Sequence, residues 1–129
     1  GLENIRIYDE DVRNLIKCQP DNSSAAIWLL YPDPWHKKRH NKRRFVSNQH
    51  LDHFYRLLKT DGYFYFASDI ADYTSWTLAT VRAHGQFEWQ AKTADDWRMP
   101  FPDWPGTRYE AKAIAAGRKP SYLTFKPIV

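Results

Sequence analysis

The sequence is poor in cysteine and glycine, and it has no long apolar run. Its one cysteine, Cys18, cannot close an internal disulfide, and with no second cysteine nearby it makes a poor metal site. A structural role for Cys18 and a reducing, cytoplasmic setting follow as expectations. The five glycines stand far apart at positions 1, 62, 85, 106 and 117, so no Gly-rich loop of the kind that wraps a nucleotide is present in these residues. No stretch approaches the ~20 apolar residues that a membrane-spanning helix needs, and no charged-then-apolar leader is visible. Neither a membrane nor a secreted fate is expected, although the opening GLENIRIY reads as well as a cut point as a natural start.

What the sequence does have is room for one core and a concentrated charge. At 129 residues with 43% hydrophobic and 16% aromatic content, residues 1–129 are expected to form a single domain. The net charge of +4 is unevenly placed, because positions 37 to 44 hold six of the nineteen Lys and Arg residues. The remainder carries thirteen basic against fifteen acidic residues, a slightly acidic background around one basic patch. Such a patch suits a polyanion met at one place, since neutralising phosphates releases counterions. A solvated charged loop is the plainer alternative for any basic run.

Periodicity places that patch. Asn4 to Tyr8 alternates as a short strand would before the acidic Asp9-Glu10-Asp11, and Val12 to Cys18 has the apolar spacing of a short helix. Ala25 to Tyr31 is an unbroken apolar run, the pattern of a central strand buried on both faces, and Pro32 and Pro34 end it. Ser47 can cap a helix that Asp61-Gly62 would stop. Further strands are expected at Tyr63–Ala67, Phe87–Ala91 and Tyr122–Phe125, with a helix from Tyr73 to His84 ended by Gly85, and irregular chain from Met99 to Gly106. Alternation of strands and helices predicts an α/β fold, a parallel or mostly parallel sheet with helices on both faces. Ligands then bind beyond the carboxyl ends of the strands, where Asp11, Asp33 and Asp69 fall.

Within PDPWHKKRHNKRR, Asp33, Pro34 and Trp35 supply a hydrogen-bond acceptor, a stiffened backbone and a flat ring, the parts needed to hold an unstacked base. Taken alone the tripeptide reads more simply as a Pro-rich turn with Trp35 over the core. The adjoining residues alter that balance: Lys37, Lys38, Arg39, Lys42, Arg43 and Arg44 can grip phosphates, and His36, His40 and Asn41 can reach riboses. A metal site or Ser-His hydrolase is disfavoured, because His36 and His40 lie among cations.

This signature resembles that of the bacterial tRNA (guanine-N7)-methyltransferases, which methylate a guanine in the tRNA variable loop with S-adenosylmethionine. SDIADY from Ser68 and TRYE from Thr107 are similar to that family's Thr-Asp and Thr-Lys-Phe-Glu segments, and ENIRIYDEDV to the stretch bearing its adenine-contacting acid. The resemblance implies that Asp11, with Glu10, meets the cofactor's adenine and that Asp33 sits at the active site beside the methyl donor. It further implies that Lys37, Asp69, Thr107, Arg108, Tyr109 and Glu110 bind the tRNA, beside Trp35, Lys38 and Arg39 of the signature itself; no metal is implied. Arg108-Tyr109 stands for Lys-Phe, and Val12 for a small Ala.

The family's fold opens with a strand, a Gly-rich loop and a second strand ending in an acid, and this chain has no such loop. The expected architecture is therefore a partial class I, Rossmann-like S-adenosylmethionine-dependent methyltransferase sheet with its first two strands absent, the C-terminal part of the catalytic domain. On its own the chain is expected to be inactive, to bind the cofactor weakly, and to expose the edge of the Ala25–Tyr31 strand to self-association. No obligate protein partner is evident from the sequence. The alternative from another class is a noncatalytic RNA-binding module.

Overall fold

The structure, a computed structural model, describes residues 3–129. Its elements in chain order are α1 (Val12–Cys18), β1 (Ser24–Leu30), a 3-10 segment at Lys38–Arg43, α2 (Asn48–Leu57), β2 (Leu58–Ser68), α3 (Ala71–His84), β3 (Phe87–Trp89), α4 (Asp95–Arg98), α5 (Arg108–Ala115) and β4 (Ser121–Pro127). The four strands form one sheet in the order β1-β2-β4-β3.

The core follows from two periodicities meeting. Phe64 and Phe66 of β2 and Leu123 and Phe125 of β4 alternate onto one face, paired as Phe64 with Phe125 and Phe66 with Leu123. Onto that face α2 brings Leu51, Phe54 and Leu57, and α3 brings Tyr73 and Val81, each spaced to share one side of its helix. The opposite face carries Tyr65, Ala67 and Tyr122, met by Phe101 and Trp104 from the irregular stretch between α4 and α5.

Local chemistry explains most boundaries. Ser47 caps α2 by accepting from the His50 N–H, and Gly85 ends α3 with φ of 84°, a left-handed position that suits glycine. Asp61-Gly62 does not stop α2, as the sequence suggested; α2 ends at Leu57 and β2 runs straight through the pair. Gly62 is there for proximity, because a Cβ at this position would lie 2.9 Å from the Ala25 carbonyl oxygen of the neighbouring strand.

Three further expectations need correction. The sheet is mixed: β1 and β2 are parallel, but β4 runs antiparallel to both β2 and β3. β4 starts at Ser121 directly opposite Ser68, the end of β2, so it enters the sheet from the rim at which β2 ends and must run back along it. Residues 4–8 form no strand, and Ile7 is 90% exposed. A strand needs a ladder partner, and among the described residues nothing lies beside this segment. β1 stands at the edge of the sheet, as expected, its outer edge unpaired among the described residues, but it is not buried on both faces: Ala25, Ala26 and Trp28 are exposed. Cys18 is exposed at the end of α1 and takes no part in the core. No described helix is long and apolar enough to cross a membrane.

Candidate functional site

Two strained residues shape the segment after β1. Tyr31 and Trp35 both hold left-handed backbone, with φ of 51° and 44°, a conformation costing bulky L-residues about 1–2 kcal/mol each. Between them Pro32 and Pro34 fix the turn, and Asp33 Oδ1 accepts the Trp35 N–H at 3.0 Å. Asp33 Oδ2 has no hydrogen-bond partner among the described residues. The Trp35 ring carries the Arg43 guanidinium 5.1 Å above its centroid and meets His40 edge-on. The Asn41 amide, its nitrogen turned inward, donates to the Trp35 and Lys37 carbonyls and closes the loop.

Arg44 was expected to grip phosphate, and the structure corrects this. Its guanidinium is 1% exposed and lies over the rings of Tyr73 and Trp76, donating through Nε to the Pro34 carbonyl at 2.6 Å and through Nη2 to Asp72 at 2.5 Å. Arg44 thus bolts the Asp33 loop to α3. Asn41 is likewise occupied within the loop. Lys37, Lys38 and Arg39 are exposed and free of ion pairs among the described residues.

Two adjoining hollows flank Trp35. One, of about 390 Å³, is lined by Val12, Ile16, Ile27, Leu29, Asp33 and Trp35 among others. The other, of about 1120 Å³, runs from Asp11 and Arg13 past Trp35 to Arg43 and the start of α2. Trp35, Val12 and Arg43 line both, so the acid after β1, the ring and the start of α1 face one region. Asp11 is reached differently from the sequence expectation: it ends no strand but caps α1, accepting the Arg13 N–H and a fork from the Arg13 guanidinium. Those hydrogen bonds, first from the guanidinium and then from the backbone, hold its pKa down to about 2. Glu10 is exposed in the bend before it.

The remaining predicted residues stand around the rims of β1 and β2. Asp69 follows β2 and accepts from Arg118 Nε at 2.5 Å, leaving its side chain 15% exposed. Thr107 caps α5 through the Glu110 N–H, while Arg108 and Tyr109 project outward, Tyr109 being 69% exposed. Glu110 turns inward, its Oε2 accepting from Trp104 Nε1 and, at 3.4 Å, from the Tyr31 hydroxyl. The sequence reading missed Arg118, Tyr31 and Trp104 as members of this network. The Thr-x-x-Glu spacing of Thr107 and Glu110 is a capping-box pattern that would have marked α5, but nothing local marks Trp104 or Arg118. No group of three or more His, Cys, Asp or Glu placed to hold a metal occurs among the described residues.

In open α/β sheets ligands bind beyond the carboxyl ends of the strands, and here the acids, the aromatic ring and the cationic turn stand at that rim. A crystal structure of a SAM dependent methyltransferase from Archaeoglobus fulgidus shares this fold, with a TM-score of 0.53 at 7% identity over 95% of this chain and 68% of that one. Residues 1–123 match the family model described as "Putative methyltransferase". Over 122 residues the chain is 57% identical to the tRNA (guanine-N(7)-)-methyltransferase of Chelativorans sp. (strain BNC1), covering 95% of this chain and 53% of that protein. The protein of the same description from Mesorhizobium japonicum is 56% identical over 124 residues, again 53% of its own length. The chain belongs to this methyltransferase family, among relatives that are bacterial tRNA (guanine-N7)-methyltransferases. It spans about half the length of the curated relatives it matches.

Proposed function

We propose that the full-length protein bearing this chain is a cytoplasmic enzyme that transfers a methyl group from S-adenosylmethionine to N7 of a guanine in the variable loop of tRNA. Residues 1–129 act as one domain holding mainly the substrate half of the site. The observation that carries this reading is the sharing of Trp35 by two hollows, which sets Asp33, the α1 start and the basic turn around one ring. The smaller hollow suits the cofactor's apolar and polar parts together, with Val12, Ile27 and Leu29 as walls and Asp33 at its rim. Asp11, with Glu10, would meet the adenine, and Asp33 would stand beside the methyl donor. When bound, S-adenosylmethionine supplies an electrophilic methyl group.

The residues of this chain position rather than deprotonate. Guanine N7 already has an in-plane lone pair, so no base is required, and alignment near contact distance can supply several kcal/mol, ~7–11 at most. Trp35 stacks under the base, the face away from Arg43 being the one it offers. An ionised Asp33 orients the ring through its N–H groups and favours the cationic product. Lys37, Lys38 and Arg39 contact phosphates, and Asp69, Thr107, Arg108, Tyr109 and Glu110 hold the tRNA further along the same rim.

Mass spectrometry of tRNA incubated with the full-length protein and S-adenosylmethionine tests the reading. One added methyl per tRNA, at a guanine N7 of the variable loop, is the expected product. Binding of tRNA without any transfer would leave a noncatalytic RNA-binding module instead. The role of the basic turn is separable. Changing Lys37, Lys38 and Arg39 together to Gln should weaken tRNA binding and flatten the log–log salt slope by about 0.7–0.9 for each phosphate no longer neutralised. An unchanged slope, measured by fluorescence anisotropy across salt, would mean that the turn does not meet phosphates.

A further inference from the structure

The least expected cluster in the molecule lies behind Glu110. The hydrogen bonds to its carboxylate from Trp104 Nε1 and the Tyr31 hydroxyl both end on Oε2, none among the described residues ends on Oε1, and the Tyr122 hydroxyl stands close to the same carboxylate. Oε1 stands at Gly106, where φ is 82° and a Cβ would lie 3.6 Å from that oxygen. Trp104 is itself braced: it stacks on Trp28 at 5.9 Å, with 14° between the planes, and Trp28 stacks in turn on Tyr65 at 3.9 Å. Phe101 meets Trp28, Tyr65, Trp104 and Tyr122 edge-on and fixes the stack from the side. Tyr31 is held in its strained backbone where its N–H continues the ladder to the Ala67 carbonyl, which carries the hydroxyl from the end of β1 across to α5.

From this geometry we infer that Trp104 and Tyr31 are positioning residues for the substrate, fixing Oε2 of Glu110 so that Oε1 is presented in one orientation to donor groups of the bound tRNA. The inference rests on the proposed function and adds to it two residues and a division of labour between the oxygens of one carboxylate. Both donors keep their protons at neutral pH. The indole N–H does not titrate, and burial, followed by the neighbouring Tyr122 and Glu110, pushes the Tyr31 hydroxyl well above the ordinary tyrosine range. Tyr122 beneath them is raised to about 12, again chiefly by burial. A carboxylate held on one side by two fixed donors loses rotamer freedom before substrate arrives, and that is what preorganisation requires.

The test is a double-mutant cycle in the full-length protein, read as single-turnover methylation of tRNA. Tyr31→Phe removes only the hydroxyl, whereas Trp104→Phe removes the N–H together with part of the indole that stacks on Trp28, so its Tm is read alongside its rate. Each should lower kcat/KM, Trp104→Phe by about tenfold or more given a charge-assisted bond, with the loss mainly in kcat and, for Tyr31→Phe, with little change in Tm. In a Glu110→Ala background the same two changes should cost almost nothing further, because there is no carboxylate left to position. A second readout is independent of turnover: the Trp104 indole N–H resonance should move on Glu110→Ala. Full additivity of Trp104→Phe with Glu110→Ala, or wild-type rates in both Phe variants, overturns the inference while leaving the proposed function standing. Absence of methylation by the wild-type protein would overturn both.

Discussion

Asp33→Ala in the full-length protein removes most methyl transfer while tRNA affinity stays within about twofold. The expected fall in single-turnover rate is on the order of 10²–10³-fold, the size associated with deleting one preorganised charge-stabilising group. Two features of the loop make the loss chemical rather than architectural. Asp33 is exposed, so its removal opens no cavity in the core. The one hydrogen bond it makes among the described residues, accepting the Trp35 N–H at Oδ1, belongs to a turn that two prolines already stiffen. Asp33→Asn separates the contributions further, since the amide oxygen can still accept from Trp35 while the charge is gone. If the ionised oxygen favours the cationic product, Asp33→Asn should be nearly as slow as Asp33→Ala. A rate within about threefold of wild type for Asp33→Ala would remove this residue from the chemistry.

Arg44→Ala produces the second large effect, and it is one of stability. The guanidinium takes with it two charge-assisted bonds and its cation–π pairing with Tyr73 and Trp76, together with the packing of a stem that is almost wholly buried. The Asp72 left behind is 73% exposed and can be solvated, so the cost is that of broken bonds rather than of a stranded buried charge. A loss of about 2–3 kcal/mol is expected, seen as a lower urea midpoint at unchanged m-value. Arg44→Lys should restore only part of it, because an ammonium cannot reach the Pro34 carbonyl and Asp72 with the same fork. The salt slope of tRNA binding should not change. If instead stability holds and the slope falls by about 0.7–0.9, Arg44 meets a phosphate after all.

That residue also shows where reading the sequence succeeded and where it could not. Six cations in eight positions are indistinguishable by charge, yet one is a structural bolt and another, Arg43, covers the face of Trp35. What separates them is the position of α3, whose Asp72 lies 28 residues downstream of Arg44, and no local pattern carries it. The legible parts had local causes. The apolar run after Ser24, the Ser47 cap, the Gly85 stop and the alternation of β4 each announce themselves within a few residues, and the acids after β1 and β2 follow from strand direction. The β4 reversal and the Glu110 network were hidden because each depends on which distant segment arrives alongside. For residues 4–8 the alternation was real, but alternation without a neighbour makes no strand.

The place of β4 in the sheet bears on how the chain comes into being. Its ladder joins Phe64 to Phe125 and also holds β3, so β2 and β3 meet only through a strand at positions 121–127. During synthesis, at about 5–20 residues per second, α2, β2 and α3 are made a few seconds before that strand. Over that interval Phe64 and Phe66 have helices above them but an open flank where Leu123 and Phe125 will later sit. The nascent chain is then an incomplete sheet with an apolar edge, a good client for a holding chaperone, and a ribosome stalled before Ser121 would leave it in that state.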